Sequence, residues 1–568
     1  MAGWNASLPS HCASGSLSDV RIKVVPSTAV LPGRAPVLRV PQKKRCPTAA
    51  AQSRDRDVHA GAASTSRGIE WDKTEAGTPL EELPEPEGNF SLPFLGETAE
   101  FQANHWEWAH KRVKKFGPVF KSNIFGEDVI VVTDFIGLQK VFGGDHKLTQ
   151  WMTAPSLEAL CGEEMMGASK QKESHMKQRR QQGAAFTPDA MDAYLPRVVE
   201  TCEEYFKDWS AQESINLVPA MQALAFDFAE GLVVGLGIKG EEKALLLKKW
   251  TEFSSNTFTF VLDLPGTPFN KARRARDFIL DAIRERVAAK KAEFEAGTVK
   301  KDTLLSFFAS AKVEDGEALN VHDLSMNVLL FMFAGSDTSR ESHKVLLGIL
   351  PDLPPTIINK YDTASSRAQR RNLGDSRYCK LEKLREEQAG IVARHGTGFS
   401  RTAMAEMRYA DAVAREVLRI WGPAEFLFRT VKEDFELHGK RIKKGAVILA
   451  SLMYAKACDP RVSAGDHADS ALPRHMDIGR LHDSFKPERW LDDSNKLDTS
   501  ALATFGMGVH FCLGYPLYMM EAKVLLAMVA RDYDVINVTG SPTDWGISPS
   551  KGSPASDVFL RFKPRQHV

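Results

Sequence analysis

The sequence predicts a mainly helical fold with a smaller β-rich lobe. Three observations predict it. Residues 190 to 300 read as successive helices with apolar faces. Two more long apolar helices follow, Asp323 to Leu350 and about Leu513 to Arg531. Between Pro118 and Thr133, alternating apolar residues flank Gly126-Glu127, the pattern of a β-hairpin.

The chain has 568 residues, enough for one large domain or several ordinary ones. Its hydrophobic fraction of 43% is that of a globular protein, and a net charge of +1 gives no sign of a nucleic-acid partner. The longest apolar candidates, Val328 to Ala334 and Phe226 to Ile238, are short or broken by charge, so no transmembrane helix is expected. The seven cysteines form no CxxC pair, which indicates neither a disulfide framework nor a zinc site.

Residues 1–75 read as a transit peptide and leader, and 76–568 as the folded domain. From Met1 to Arg54 the only acidic residue is Asp19, among Arg21, Lys23, Arg34, Arg39, Lys43, Lys44, Arg45 and Arg54. Basic, acid-poor and rich in Ser and Ala, this is the composition of an organelle address. A chloroplast is expected, with a mitochondrion as the alternative. A disordered cytosolic leader has the same composition.

The ordered chain begins near Pro79 to Gly96. His105 to Phe116 reads as a helix before the hairpin. Trp151 to Gly162 is apolar and turn-like. His175 and Arg179 are four residues apart and share a helical face. With Lys170, Lys172, Lys177 and Arg180 around them, that face also reads as simply solvated. Pro265-Gly266-Thr267-Pro268 breaks the helices. The long helix carries Ala334-Gly335-Ser336-Asp337-Thr338-Ser339. A glycine inside a helix costs about 1 kcal/mol, so Gly335 calls for a reason. An ordinary helix contact is one. Glu416 and Arg419 share a face three residues apart, a spacing that by itself marks surface ion pairs of little worth.

The stretch Phe505 to Gly514, FGMGVHFCLG, sets Cys512 at the start of a helix. Unpaired backbone N–H groups and the helix dipole favour thiolate there. Gly506, Gly508 and Gly514 allow a sharp turn and the close approach of a flat ligand. Pro516 suits the first helical turn. A buried cysteine in a Gly-rich turn is the plainer reading of the same residues.

The spacing Phe505, Gly508, His510, Cys512, Gly514 resembles the haem-binding loop of the cytochrome P-450 family, the haem-thiolate monooxygenases. The family more often has arginine where this chain has His510. Glu521 falls where many members carry a helix glutamate. The resemblance runs from about Leu92 to Phe562. Leu92 to Thr98, LPFLGET, is similar to the entry segment of the branch that hydroxylates sterols, brassinosteroids and retinoic acid.

The resemblance implies haem b with Cys512 as the axial iron ligand. It implies carboxylate contacts from His175, Arg179, Arg429 and His510, with Phe505, Gly508 and Gly514 shaping the loop. Ala334, Gly335, Asp337 and Thr338 match the oxygen-activating helix, where a locally opened turn would admit haem or dioxygen. An acid and a hydroxyl there would carry protons. Glu416 and Arg419, with Arg489 of FKPERW, match a charge network behind the cysteine loop. Trp151, Leu157 and Leu160 match a substrate-facing loop, or are plain core. Against the family pattern, residues 351–380 and 461–484 read as insertions. The implied reaction is hydroxylation of an apolar isoprenoid-type substrate (retinoid, apocarotenoid, sterol or other terpenoid) with dioxygen and two electrons. The donor would be ferredoxin or a flavoprotein reductase, and peripheral membrane contact is open. A haem-thiolate isomerase or dehydratase acting on hydroperoxides, and a non-catalytic haem-binding protein, remain as alternatives.

Overall fold

The computed structural model describes residues 78–88, 96–124, 126–162, 172–310, 320–350, 376–458, 485–491, 503–539 and 557–566. The chain divides into two compact units, Met1–Ile69 and Glu70–Val568, and every described residue belongs to the second. The leader, residues 92–95 of the entry segment, and residues 351–375 and 461–484 of the expected insertions lie outside the described residues.

The first helix runs from Thr98 to Phe116, seven residues ahead of the expected start. The early turn is broken at Asn104, whose backbone is extended at φ −161° and ψ 86°. Its Oδ1 accepts the Glu107 N–H at 3.0 Å, an N-cap for the segment that begins at His105. The sequence pattern thus caught the second half of a kinked helix.

The hairpin forms as expected. Strand β1 (Val119–Ile124) pairs antiparallel with β2 (Glu127–Val132), Ile124 facing Glu127. Gly126 between them has φ +81°, a value that L side chains resist. Strand β3 (Thr149–Met152) and the helix Pro155–Cys161 replace the expected turn-like stretch. The strand is too short for its alternation to show in sequence, and Pro155 starts the helix. The remaining strands are β4 (Ile215–Asn216), β5 (Phe426–Val431), β6 (Phe435–Leu437), β7 (Lys440–Ile442), β8 (Val447–Ser451), β9 (Tyr533–Asn537) and β10 (Phe559–Pro564). They make a five-stranded sheet in the order β1-β2-β8-β5-β3, a three-stranded sheet β4-β10-β9 and a pair β6-β7. Within the large sheet only β2 and β8 run parallel.

The helical part dominates. The helix Val321–Gly348 starts at Asn320, whose side chain accepts the Asp323 N–H at 2.8 Å. It packs against Leu217–Ala229 and Pro268–Glu295 and touches the helices Arg408–Ile420 and Tyr515–Asp532. The last helix begins two residues after its expected start, with Pro516 in its first turn, and packs on Ser376–His395 and Pro188–Ser210. The Pro265 to Pro268 break lies between the helices Gly240–Ser255 and Pro268–Glu295, with Thr267 capping the second. Among the described residues one window, Leu217–Val234, is long and apolar enough to cross a membrane. Two thirds of it (67%) is buried, as in the core helix of a globular domain.

Candidate active site

Three elements carry the site: the loop Ala503–Gly514, the long helix Val321–Gly348 and the basic helix Lys172–Gly183. In the loop, the Cys512 N–H donates to the Phe505 carbonyl at 2.8 Å and the Phe511 N–H to Gly508 at 3.2 Å. Gly508 has φ +65°, and a Cβ there would stand 2.8 Å from the Phe142 carbonyl oxygen, so no other residue fits. The Phe505 ring meets Tyr515 edge-on at 5.0 Å and fixes the loop to the helix that follows.

The N–H groups of Gly514 and Tyr515 donate to the Cys512 sulfur, as a cysteine at a helix start should allow. The thiol pKa nevertheless lies above its ordinary value, because burial outweighs these donors and the Arg179 charge. The helix start favours thiolate as expected, and burial opposes it. A bound cation is what would deprotonate it. The residue is at the same time accessible to solvent. Both observations fit a sulfur at the wall of a deep recess.

The long helix shows a matching opening. Thr338 is its only exposed residue between Asp323 and Gly348, although the helix runs through the core. A Cβ at Gly335 would meet no atom within 4 Å, so the glycine keeps space beside the helix. Ala334 and Asp337 are half-buried. The helix is unbroken from Val321 to Gly348, so the expected local opening is not formed. Instead the Thr338 hydroxyl donates to the Ala334 carbonyl at 2.5 Å. Asp337 lies 3.5 Å from the Arg340 guanidinium. Burial nonetheless pushes its carboxyl up to about 6, more than Arg340 pulls it down.

The basic helix approaches the loop directly. Arg179 donates to the Phe511 carbonyl at 2.6 Å. His175 is fully buried, and its ring stacks on His510 at 4.0 Å. A third imidazole, His146, shares a hydrogen bond of 2.9 Å with His175. His146 sits at φ +69°, in the left-handed region that side chains avoid. Burial, then the neighbouring cationic groups, pushes His175 down to about 4 and His510 down to about 2. All three rings are therefore neutral near pH 7. His146 Nδ1, His175 Nε2 and His510 Nε2 have no hydrogen-bond partner among the described residues.

Arg429 on β5 reaches the same corner but is already engaged. Its Nε and one Nη donate to Asp145 at 2.7 and 3.1 Å, both side chains being 1% exposed. The guanidinium also lies 4.5 Å from the Trp151 ring centre and 4.7 Å from that of Phe142. Trp151 thus serves the site from β3, half-buried, whereas Leu157 and Leu160 belong to the main core. Asp145 and His146 were not legible in sequence. They sit in one turn, with no spacing that sets them apart.

Behind the loop, Glu416 is completely buried and accepts five hydrogen bonds. Arg419 Nε and Nη2 donate at 2.9 Å each, Arg489 Nε at 3.1 Å, the Lys486 N–H at 2.8 Å and Trp490 Nε1 at 2.9 Å. The triad read from sequence is assembled, and Trp490 and the Lys486 backbone complete it.

The donor set suits a flat iron ligand with carboxylate arms. Cys512 offers a soft sulfur, while Arg179 and the imidazole nitrogens without partners offer hydrogen-bond donors to carboxylates. Comparisons agree. The family model described as cytochrome P-450 matches residues 86–357, 381–460 and 483–544. The chain is 28% identical over 456 residues to cytochrome P-450 26B1 of Xenopus tropicalis, covering 79% of this chain and 81% of that one. It is 27% identical over 457 residues to the Homo sapiens protein of the same name, with coverages of 79% and 81%. A solved structure, retinoic acid-bound cyanobacterial CYP120A1, matches in fold with a TM-score of 0.69 at 23% identity, over 85% of this chain and 100% of that chain. The chain belongs to the cytochrome P-450 family and is a monooxygenase whose haem iron is held by a cysteine sulfur.

Proposed function

We propose that Cys512 is the iron ligand and that the enzyme hydroxylates an apolar isoprenoid-type substrate: a retinoid, an apocarotenoid, a sterol or another terpenoid. The observation that carries the ligand assignment is the seating of Cys512. Its sulfur receives two backbone N–H groups and its loop is held by Arg179. The substrate class is supported by the likeness to a neighbour whose solved structure holds retinoic acid.

In this reading the bound haem supplies dioxygen activation with two electrons from a donor, ferredoxin or a flavoprotein reductase. The chain does the rest. Arg179, His175, His510 and the space near Arg429 receive the haem carboxylates. Phe505, Gly508 and Gly514 hold the thiolate loop. Thr338 presents a hydroxyl that can both give and take a hydrogen bond on the open side of the long helix. Asp337, titrating near 6, passes protons towards it at neutral pH. Ala334 and Gly335 leave the room these groups need. Trp151 borders the site, and Leu157 and Leu160 back it.

The exposed run Phe258, Phe260, Val261, Leu262 and Leu264 supports peripheral membrane contact. The acid-poor leader supports import into a chloroplast, with the mitochondrion as the alternative.

Reduced carbon-monoxide difference spectra of wild type and Cys512→Ala test the ligand. The thiolate-type band is expected in the first only, and its survival in the variant overturns the assignment. A panel of isoprenoids is then screened by the shift of the haem absorption and by turnover. Products formed only with reductant support hydroxylation. Hydroperoxide rearrangement without reductant favours an isomerase.

A further inference from the structure

Lys456 has no part in the site described above, yet it is among the least expected residues near it. It sits on the short helix Leu452–Cys458 that follows β8, and it is 3% exposed. A lysine buried this deeply is rare unless its amine is matched to partners. Nζ donates to the Leu418 carbonyl at 3.3 Å and lies 3.2 Å from Thr504 Oγ1. The Thr504 hydroxyl itself donates to the Leu418 carbonyl at 3.3 Å, closing a triangle.

Each corner of that triangle belongs to a different part of the machinery. Leu418 lies between Glu416 and Arg419 on the network helix. Thr504 immediately precedes Phe505, whose carbonyl accepts the Cys512 N–H at 2.8 Å. Gly422, just beyond the network helix, makes the space. A Cβ there would fall 2.5 Å from Nζ and 3.0 Å from Thr504 Cγ2.

We propose that Lys456 is a positioning residue for the iron ligand: its amine latches Thr504, at the base of the Cys512 loop, to the end of the Glu416–Arg419 helix. The proposal rests on Cys512 as the ligand.

The latch is sensitive to pH. Burial, reinforced by the Arg419 charge and opposed by Glu425, pushes the Lys456 amine down to about 7. Among the described residues these are the charged groups that act on it. Glu425 is in turn near Glu341 and lies 3.6 Å from His105, and burial raises its carboxyl to about 8. A neutral amine keeps the triangle: its two N–H groups suffice for Leu418 and Thr504. When the loop loosens and water reaches the amine, its affinity for a proton returns towards that of an ordinary lysine. The loosened state therefore binds more protons from about pH 7 upwards. Loosening is favoured by acid and suppressed as pH rises from 7 towards 10.

The haem-loaded protein tests this. The rate at which the ferrous carbon-monoxide adduct loses its thiolate-type band is measured from pH 7 to 9. In wild type the rate should fall by up to about tenfold per pH unit, one proton being taken up per opening. Lys456→Met, similar in length and without a titrating group, should retain haem and the band but lose the pH slope. Lys456→Arg, charged throughout, should lose the band faster than wild type at pH 9, again without the slope. A flat wild-type profile, or a slope that persists in Lys456→Met, overturns the proposal. If Lys456→Met does not fold, the wild-type profile and the arginine variant decide. Absence of the thiolate-type band in wild type at every pH is a different outcome: it removes the ligand assignment on which the latch rests.

Discussion

Arg179 and Phe511 are joined by a hydrogen bond of 2.6 Å, from a guanidinium to the carbonyl directly before the cysteine. The basic helix is thereby fastened to the backbone of the thiolate loop. One side chain both steadies the ligand and lends its charge to the sulfur, which it draws towards ionisation.

Arg179→Ala should therefore loosen haem more than the loss of a single surface contact would. A hydrogen bond to a charged group contributes about 1.5–3 kcal/mol, so haem transfer to a scavenging apoprotein should speed up by roughly 10- to 100-fold. An unchanged transfer rate argues for a haem orientation that does not use this arginine.

Glu416→Gln should be among the most damaging single changes. It removes the carboxylate charge that Arg419, 2% exposed, pairs with at 2.9 Å. Removing one partner of a buried pair costs about 3–5 kcal/mol. Thermal unfolding should report the loss, with Trp490 fluorescence changing in step, since its indole donates to the same carboxylate. A melting temperature near that of wild type counts against the network.

Thr338→Ala should leave the carbon-monoxide spectrum and substrate binding intact. Reducing equivalents should instead leave as hydrogen peroxide, so that less product forms per electron pair. Asp337→Asn should slow turnover more than it alters that ratio, within the roughly 10²–10⁴-fold that acid–base groups contribute. Normal rate and coupling in both variants would move the isomerase reading ahead.

Asp337 also leaves a mark on stability. Its folded-state carboxyl titrates near 6 and its unfolded reference is 3.8. The folded chain therefore binds the extra proton between those values, and stability falls as pH rises through that window. Asp337→Asn escapes the penalty, which is about 3 kcal/mol for a shift of this size. Its melting temperature should gain on wild type from pH 4 to 6 and hold the gain above. Parallel pH profiles of the two proteins refute the buried acid.

A fifth measurement concerns the address. A fluorescent reporter fused after residues 1–75 should accumulate in chloroplasts of plant or algal cells and lose the leader there. Diffuse cytosolic fluorescence contradicts the assignment.

What could be read without coordinates was what depends on short spacing. Glu416 and Arg419 are one helical turn apart whatever surrounds them, and the glycines before Cys512 are informative because so few residues can replace them. The long helices were legible from periodicity, and the hairpin from Gly126. Long-range pairing was hidden. Nothing in sequence says that Asp145 occupies the Arg429 guanidinium, or that Lys456 reaches Thr504, because these partners are dozens to hundreds of residues apart. The burial of the Cys512 thiol was hidden for a related reason. Helix starts are visible in sequence, but the depth of burial that opposes them is a property of the whole fold.

The parallel pairing of β2 with β8, Val129 beside Val447, bears on how the protein is made. During synthesis the β1–β2 hairpin leaves the ribosome with one edge bare. Its partner is roughly 300 residues away, a wait of about 15–60 s at ordinary elongation rates. The exposed edge carries valines and an isoleucine in an unbroken row, a template for the wrong neighbour. Production of this protein should thus depend on holding chaperones and suffer when translation slows, and β2 is where misassembly would begin.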